Sequence, residues 1–333
     1  MPTLPQHKNG IITTPHVVIL GAGASIAMTN RNQELSGKGL PSMNNLVEKV
    51  GLSRLLDDNN IKYENENFEV LFTKLKSNSK YNNLTNKIEK IIYDYFYSMK
   101  ISNEVTIYDY LIMSLTEHDV IATFNWDPFL VQALARCSTF THKLPRTVYL
   151  HGNVGTGVCY KDNTVGHIDA KCSKCNKPFK STQLLYPIGE KDYTSNPLIK
   201  SEWKMLQYFM ETAYYITIFG YSAPVSDYKA KELLLNTWKS NKSMEIAEME
   251  IVDIQESEKL LKTWNDFIFN DHGFTTKDIF DSALFRHPRR ATTELFQRTM
   301  MLKFIDEKPF PNFSTLKELY EWIKPLIDEE QNG

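Results

Sequence analysis

The feature that most constrains this chain is a short apolar run that ends on a turn of small residues. Val17-Val18-Ile19-Leu20 lies between Pro15 and Gly21-Ala22-Gly23-Ala24-Ser25. A β-branched run of this length, bounded by turn residues, is the pattern of a parallel strand buried on both faces. Small residues directly after such a strand let backbone N–H groups and the positive end of the next helix approach a pyrophosphate. A tight strand-to-helix turn that needs glycine for its own geometry is the alternative, and two glycines alone do not separate the two.

Four further apolar runs are predicted strands: Asp119 to Phe124, Val148 to Leu150, Tyr215 to Phe219 and Glu248 to Asp253. They end in polar groups, namely Asn125 and Asp127, His151, Ser222, and Asp253. Ligands of open α/β sheets bind outside the carboxyl ends of the strands, so these groups are expected on one crevice. Helical periodicity runs over about residues 42–115, and residues 153–180 are rich in Gly, Lys, Asn and Cys without periodicity. Beyond residue 255 the pattern is helical to the end, broken at Pro309, Pro311 and Pro325. Strands alternating with helices predict an α/β fold, a three-layer Rossmann-like parallel sheet. Residues 1–14 are expected to be a flexible N-terminus. Residues 15–255 form the main domain, with a helical insertion at 42–115 and a small loop-rich, candidate zinc insertion at about 153–190, and 256–333 are a packed helical region.

Charge narrows the function classes. The chain has 38 basic and 40 acidic residues, a formal charge of −2, so no overall field draws it onto nucleic acid or an anionic membrane. No apolar stretch is long enough to cross a bilayer, and Met1 to Asn9 lacks the apolar core of a signal peptide, so a cytoplasmic location is expected. Four cysteines, two of them as Cys172-x-x-Cys175, fit a reducing compartment in which thiols bind metal or stay free. His16, His118, His142, His272 and His287 read as packed or satisfied histidines, and His287-Pro288-Arg289-Arg290 reads as a solvated turn.

Taken in order, Gly21 to Ser25, Thr123-Phe124-Asn125-Trp126-Asp127, Leu150-His151-Gly152 and Gly220-Tyr221-Ser222 resemble the sirtuin superfamily. The likeness is closer to the sirtuin-like branch found in bacterial antiviral defence, and it covers roughly residues 15–255. It implies NAD⁺ as substrate and cleavage of the nicotinamide–ribose bond. Carried over by position, Gly21, Ala22, Gly23, Ala24 and Ser25 would cradle the pyrophosphate, with Thr123 and Phe124 beside the dinucleotide. Asn125 would orient a nucleophile at the nicotinamide ribose, Asp127 would contact the nicotinamide amide or fix Asn125, and His151 would be the base. Gly220, Tyr221 and Ser222 would line the phosphate and adenosine side, and Asp253 would meet the adenosine ribose. These types suit the chemistry, because an oxocarbenium-like centre needs a polar group by the ribose and a base of near-neutral pKa.

Two departures from the protein-deacylating members stand out. Phe124 replaces their glutamine, and Gly39-Leu40-Pro41-Ser42 has no counterpart of their arginine-containing loop. The resemblance also implies a small structural zinc module. Here Cys172 and Cys175 would be joined by Cys159 and His167, the alternative being a metal-free insertion with two exposed thiols.

The implied activity is that of an NAD⁺ glycohydrolase that depletes NAD⁺ in antiphage defence. An ADP-ribosyltransferase or deacylase is the second enzymatic expectation, and an NAD⁺ or ADP-ribose sensor the non-enzymatic one. The resemblance further implies a homo-oligomer, with a separate activating partner such as a hexameric ATPase.

Overall fold

Three strands of the central sheet are buried at every residue: β3 (His16–Leu20), β4 (Val120–Thr123) and β9 (Tyr215–Phe219). Strands buried on both faces require cover on both faces, which is the three-layer arrangement. The computed structural model describes residues 3–8, 10–31, 39–63, 66–188, 191–224 and 227–332. Six strands pair in the order β11-β10-β9-β3-β4-β5, all parallel, with β5 at Arg146–Tyr149, β10 at Glu248–Val252 and β11 at Gly273–Thr276.

From β3 the chain moves outward through β4 to β5, then returns to β9 on the other side of β3 and continues to β10 and β11. The strand order therefore reverses between β3 and β9, where an open α/β sheet presents its ligand crevice. Helix α1 (Ala22–Arg31) leaves β3 directly. The helical insertion comprises α2 (Leu46–Val50), α3 (Ser53–Asp57), α4 (Phe68–Lys76), α5 (Asn82–Tyr97) and α6 (Ile107–Met113). Asn67 caps α4 by accepting from Glu69 N, and Thr106 with Asp109 forms a capping box on α6. Helix α7 (Phe129–Cys137) follows β4, and α8 (Pro197–Met210) packs on β5 and β4. It starts with Asn196 as cap and proline in its first turn.

Four segments differ from expectation. Within residues 3–14, read from sequence as a flexible N-terminus, His7–Lys8 (β1) and Ile11–Ile12 (β2) form a hairpin. Ile12 is buried and its N–H donates to Thr293 Oγ1, so one apolar anchor and one hydrogen bond tie the hairpin down. The cysteine-containing insertion is a three-stranded antiparallel sheet, β7-β6-β8 (β6 Thr156–Cys159, β7 Thr164–His167, β8 Lys180–Ser181). Its strands are two to four residues long, too short for periodicity to register.

The C-terminal region is not wholly helical. After α9 (Tyr228–Ser240) and α10 (Ser257–Trp264), β11 adds a half-buried edge strand before α11 (Ala283–Arg286), α12 (Ala291–Met300) and α13 (Leu316–Asn332). Arg289 is no solvated turn either. It is buried at φ +62°, donates to the carbonyls of Met113 and Leu115, and grips Glu330 of α13 with two hydrogen bonds of 2.7 and 2.6 Å. A planar guanidinium suits that double duty, because it has five donors in a fixed fork.

Candidate active site

At the carboxyl edge of the sheet, two clusters sit side by side on the loops that follow β3, β4, β5 and β9. The first is polar. Asn125 Nδ2 donates to the Gly21 carbonyl at 2.8 Å and to Ser25 Oγ at 3.0 Å, with Tyr108 OH at 3.4 Å. Ser25 Oγ donates to Asp127 Oδ2 at 2.8 Å and lies 2.6 Å from Tyr108 OH. A hydroxyl has one proton to give, so once Ser25 serves Asp127 it must accept from both Asn125 and Tyr108. The two N–H groups of Asn125 are thereby committed, which leaves its Oδ1 as the acceptor for an incoming hydroxyl or water. Burial, offset by the Ser25 hydrogen bond, raises Asp127 to about 6. Burial and then the neighbouring Asp127 carboxylate push the Tyr108 phenol upward.

The second cluster is aromatic. His151 Nε2 lies 3.2 Å from Tyr193 OH, and its ring meets the Phe124 edge with centroids 4.8 Å apart. Phe124 in turn stacks on Tyr221 at 4.2 Å and 16°. His151 is only 5% exposed. Burial pulls it down to about 3, with Asp227 opposing and Lys191 reinforcing that shift. The imidazole is therefore neutral at neutral pH, and in this buried setting it is a much weaker base than the near-neutral one expected from sequence, because desolvation disfavours its protonated form. Phe124 joins the clusters, since it is the chain neighbour of Asn125 and the ring neighbour of His151.

The glycines of the β3 turn answer to the neighbouring strand. A Cβ on Gly21 would sit 2.5 Å from the Gly220 carbonyl oxygen, and one on Gly23 would sit 2.8 Å from Gly220 Cα. Gly23 N donates to that same carbonyl at 2.9 Å, and Gly220 has φ +62°. The close approach of β9 to β3 thus requires glycine at 21, 23 and 220 by itself. Ala22 is exposed at the start of α1 and Ala24 is buried. Thr123 supports rather than lines the cluster, its Oγ1 accepting from Asn125 N at 3.0 Å. Ser222 is exposed, while half-buried Asp253 accepts from Gln255 N at the end of β10, one strand beyond β9.

Two site groups have no sequence signature. Tyr108 comes from α6 in the helical insertion, one of two tyrosines that flank Asp109 in a buried helix. Asn153, fully buried, donates to the carbonyls of Asn125 and Asp127 and so holds their loop against the loop after β5.

In the small sheet, Cys159, Asp162, Cys172 and Cys175 bring their ligand atoms within 4.8 Å of one another. His167 is not among them, and Asp162 takes the fourth place. The register explains this: Cys159 pairs with Thr164 at one end of the β6–β7 hairpin, whereas His167 pairs with Thr156 at the other. Three residues of strand span about 10 Å, beyond the reach of a shared ion. Cys159 Sγ lies 3.5 Å from Cys175 Sγ, and Asp162 Oδ2 lies 3.2 Å from Cys172 Sγ and 3.5 Å from Cys159 Sγ. Tetrahedral zinc with Zn–S of about 2.3 Å places its ligands about 3.5–3.8 Å apart, so the set fits zinc.

A groove of about 1390 Å³ lies at the opposite edge of the sheet, bordered by Pro15 before β3 and Thr116 to His118 before β4. Strand amino ends are not where such sheets bind ligands. A second cavity of about 520 Å³, between Phe72, Tyr93, Thr182, Tyr186 and Lys191, adjoins the His151 side of the site.

No protein-family model matches the chain, and no curated protein matches it. Among solved structures, it is similar to one described under the mechanism and regulation of Sir2 enzymes, at 18% identity, covering 86% of this chain and 92% of that one, with a TM-score of 0.40. A Sir2 homolog–NAD complex is similar at 14% identity, over 86% and 90% of the two chains, with a TM-score of 0.40. A Sir2 bound to an acetylated peptide is similar at 14%, over 86% and 92%, with a TM-score of 0.35. Scores of this size carry no weight for the chemistry, which rests on the site itself.

Proposed function

We propose that this chain is an NAD⁺ glycohydrolase that cleaves the nicotinamide–ribose bond and releases nicotinamide and ADP-ribose. One observation carries the proposal: Asn125 is held at the β3–β9 switch point by the Gly21 carbonyl and Ser25, with neutral His151 at the end of the adjacent strand. NAD⁺ would lie along the carboxyl edge, its pyrophosphate by Gly21 to Ser25 and its nicotinamide ribose between Asn125 and His151. As the glycosidic bond breaks, positive charge develops on the ribose, and Asn125 Oδ1 orients the water or hydroxyl that meets it. His151 accepts the proton released as the new C–O bond forms. Asp127, ionised above about pH 6, fixes Ser25 and through it the Asn125 amide.

Phe124 in place of a polar residue beside Asn125 argues for water rather than an acyl-lysine as the partner of the reaction. Transfer to a protein acceptor is the second possibility, favoured by the cavity of about 520 Å³ that adjoins the His151 side. NAD⁺ labelled on the adenine separates the two: label recovered as free ADP-ribose supports hydrolysis, and label retained on protein supports transfer. Binding without turnover would make the chain a sensor.

An enzyme that consumes NAD⁺ endangers its own cell and needs restraint. A role in antiphage defence, in the cytoplasm, as a homo-oligomer and with a separate activating partner such as a hexameric ATPase, fits that need. The cysteine–aspartate cluster would hold structural zinc and fix the small sheet.

A further inference from the structure

His151 is walled in, and the walls are tied together at one carboxylate. Asp227 Oδ1 forms a buried ion pair with Lys191, and its Oδ2 accepts from Tyr221 OH at 3.1 Å. Lys191 is two residues before Tyr193, whose hydroxyl meets His151 Nε2 and whose ring stacks on the imidazole at 5.8 Å and 19°. Tyr221 stacks on Phe124, whose ring also meets His151 in a T-shaped contact at 4.8 Å. Lys191, Tyr193, Tyr221 and Asp227 are all at least nine-tenths buried. One carboxylate thus links Lys191, beside the Tyr193 that touches His151, to Tyr221, beside the Phe124 that touches it, and His151 is buried among these rings.

We propose that Asp227 is a clasp that keeps the His151 pocket shut in the resting chain, and that substrate enters only when the Lys191–Asp227–Tyr221 contacts part. This rests on His151 being a reacting group, as proposed above. The geometry requires some such opening, because a ribose cannot reach an imidazole sealed by Phe124, Tyr193 and Tyr221. A buried ion pair suits a clasp: each charge is costly without its partner, so the two segments close together or open together. It is also replaceable, since apolar side chains of similar volume often substitute for a buried pair without loss of stability.

Tyr193 is a positioning residue within the same device. Its hydroxyl fixes the His151 ring, and its place in the chain makes that hold depend on Lys191.

The test measures access to His151 directly and needs no NAD⁺. Diethyl pyrocarbonate is applied to the full chain and modification of each histidine is followed by mass spectrometry. His16, stacked on Tyr215 and buried in the sheet, reports on unfolding. In the wild type both His151 and His16 should react slowly. In the Lys191→Met/Asp227→Leu double variant, His151 should react at least roughly tenfold faster while His16 stays protected, as expected for a shifted closed–open population. Equal His151 rates in the wild type and a folded double variant overturn the clasp. If His16 also becomes reactive, Tyr221→Phe decides, because it cuts one clasp contact without stranding a charge. Faster His151 modification in that variant supports the proposal, and an unchanged rate overturns it. Nicotinamide release from NAD⁺ is measured in parallel: faster His151 modification without any release would uphold the clasp while removing the hydrolysis proposal.

Discussion

Ser25 Oγ donates to Asp127 Oδ2 across 2.8 Å, tying the first helix after β3 to the loop after β4. The same hydroxyl receives Asn125, so one small side chain sets the pose of an amide and a carboxylate. Ser25→Ala should leave three buried groups each short of a partner and lower stability by about 1–3 kcal/mol. It should also cost NAD⁺ turnover. Thermal unfolding and a turnover assay on the same preparation check both, and an unchanged melting temperature would mean the cluster is not closed in solution.

Glycine at 220 is demanded by the backbone and not by any ligand. A Cβ there would fall 2.2 Å from Ala24 N, at a residue with φ +62°. Gly220→Ala should therefore be strongly destabilising even without NAD⁺, by more than the ~1 kcal/mol typical of a point change. Denaturant unfolding of the free protein measures this.

Acid should weaken the fold through its buried imidazoles. Burial lowers both His16 and His151 from 6.5 to about 3, so the unfolded chain binds more protons than the folded one between those values. Their contribution is complete above about pH 6.5 and is lost as pH falls toward 3. Asp127 acts in the opposite sense: raised from 3.8 to about 6, it favours the folded state below 3.8 and loses that contribution as pH rises through 6. Stability measured against pH should show a shallower acid decline in His151→Gln and a steeper one in Asp127→Asn. Superimposable curves for all three proteins would refute this assignment.

Zinc content should follow Asp162 and not His167. Purified protein should carry close to one equivalent of zinc, lose it in Cys172→Ala, and keep it in His167→Ala and Asp162→Cys. Elemental analysis gives the stoichiometry, and chelation of the wild type should lower the melting temperature. Loss of metal in His167→Ala would contradict the register-based ligand set.

Much of the sheet was legible because β3, β4 and β9 are dense apolar runs, as strands covered on both faces must be, while β10 alternates Glu248-Met249-Glu250 before Ile251-Val252. Edge strand β11 was not, since Gly273-Phe274-Thr275-Thr276 is half-buried and offers no such run. In the site, Asn125, Asp127 and His151 stand at strand ends and could be found from that position alone. Tyr108 and Asn153 could not, because they reach the site from a helix and a loop whose local patterns are set by packing. Lys191 and Asp227 lie 36 residues apart and meet only through the tertiary fold. Asp162 had a faint signal: Cys159-x-x-Asp162 has the same spacing as Cys172-x-x-Cys175, with a carboxylate in place of a thiolate.

The most direct test of the central claim is nicotinamide release from NAD⁺ by the wild type and the Lys191→Met/Asp227→Leu chain, beside Asn125→Ala and His151→Ala variants. Release is expected from the first two, and Asn125→Ala and His151→Ala should each slow it by roughly 100-fold or more while still folded. Absence of release from both the wild type and the double variant at saturating NAD⁺, or release that survives either alanine substitution undiminished, would contradict the account.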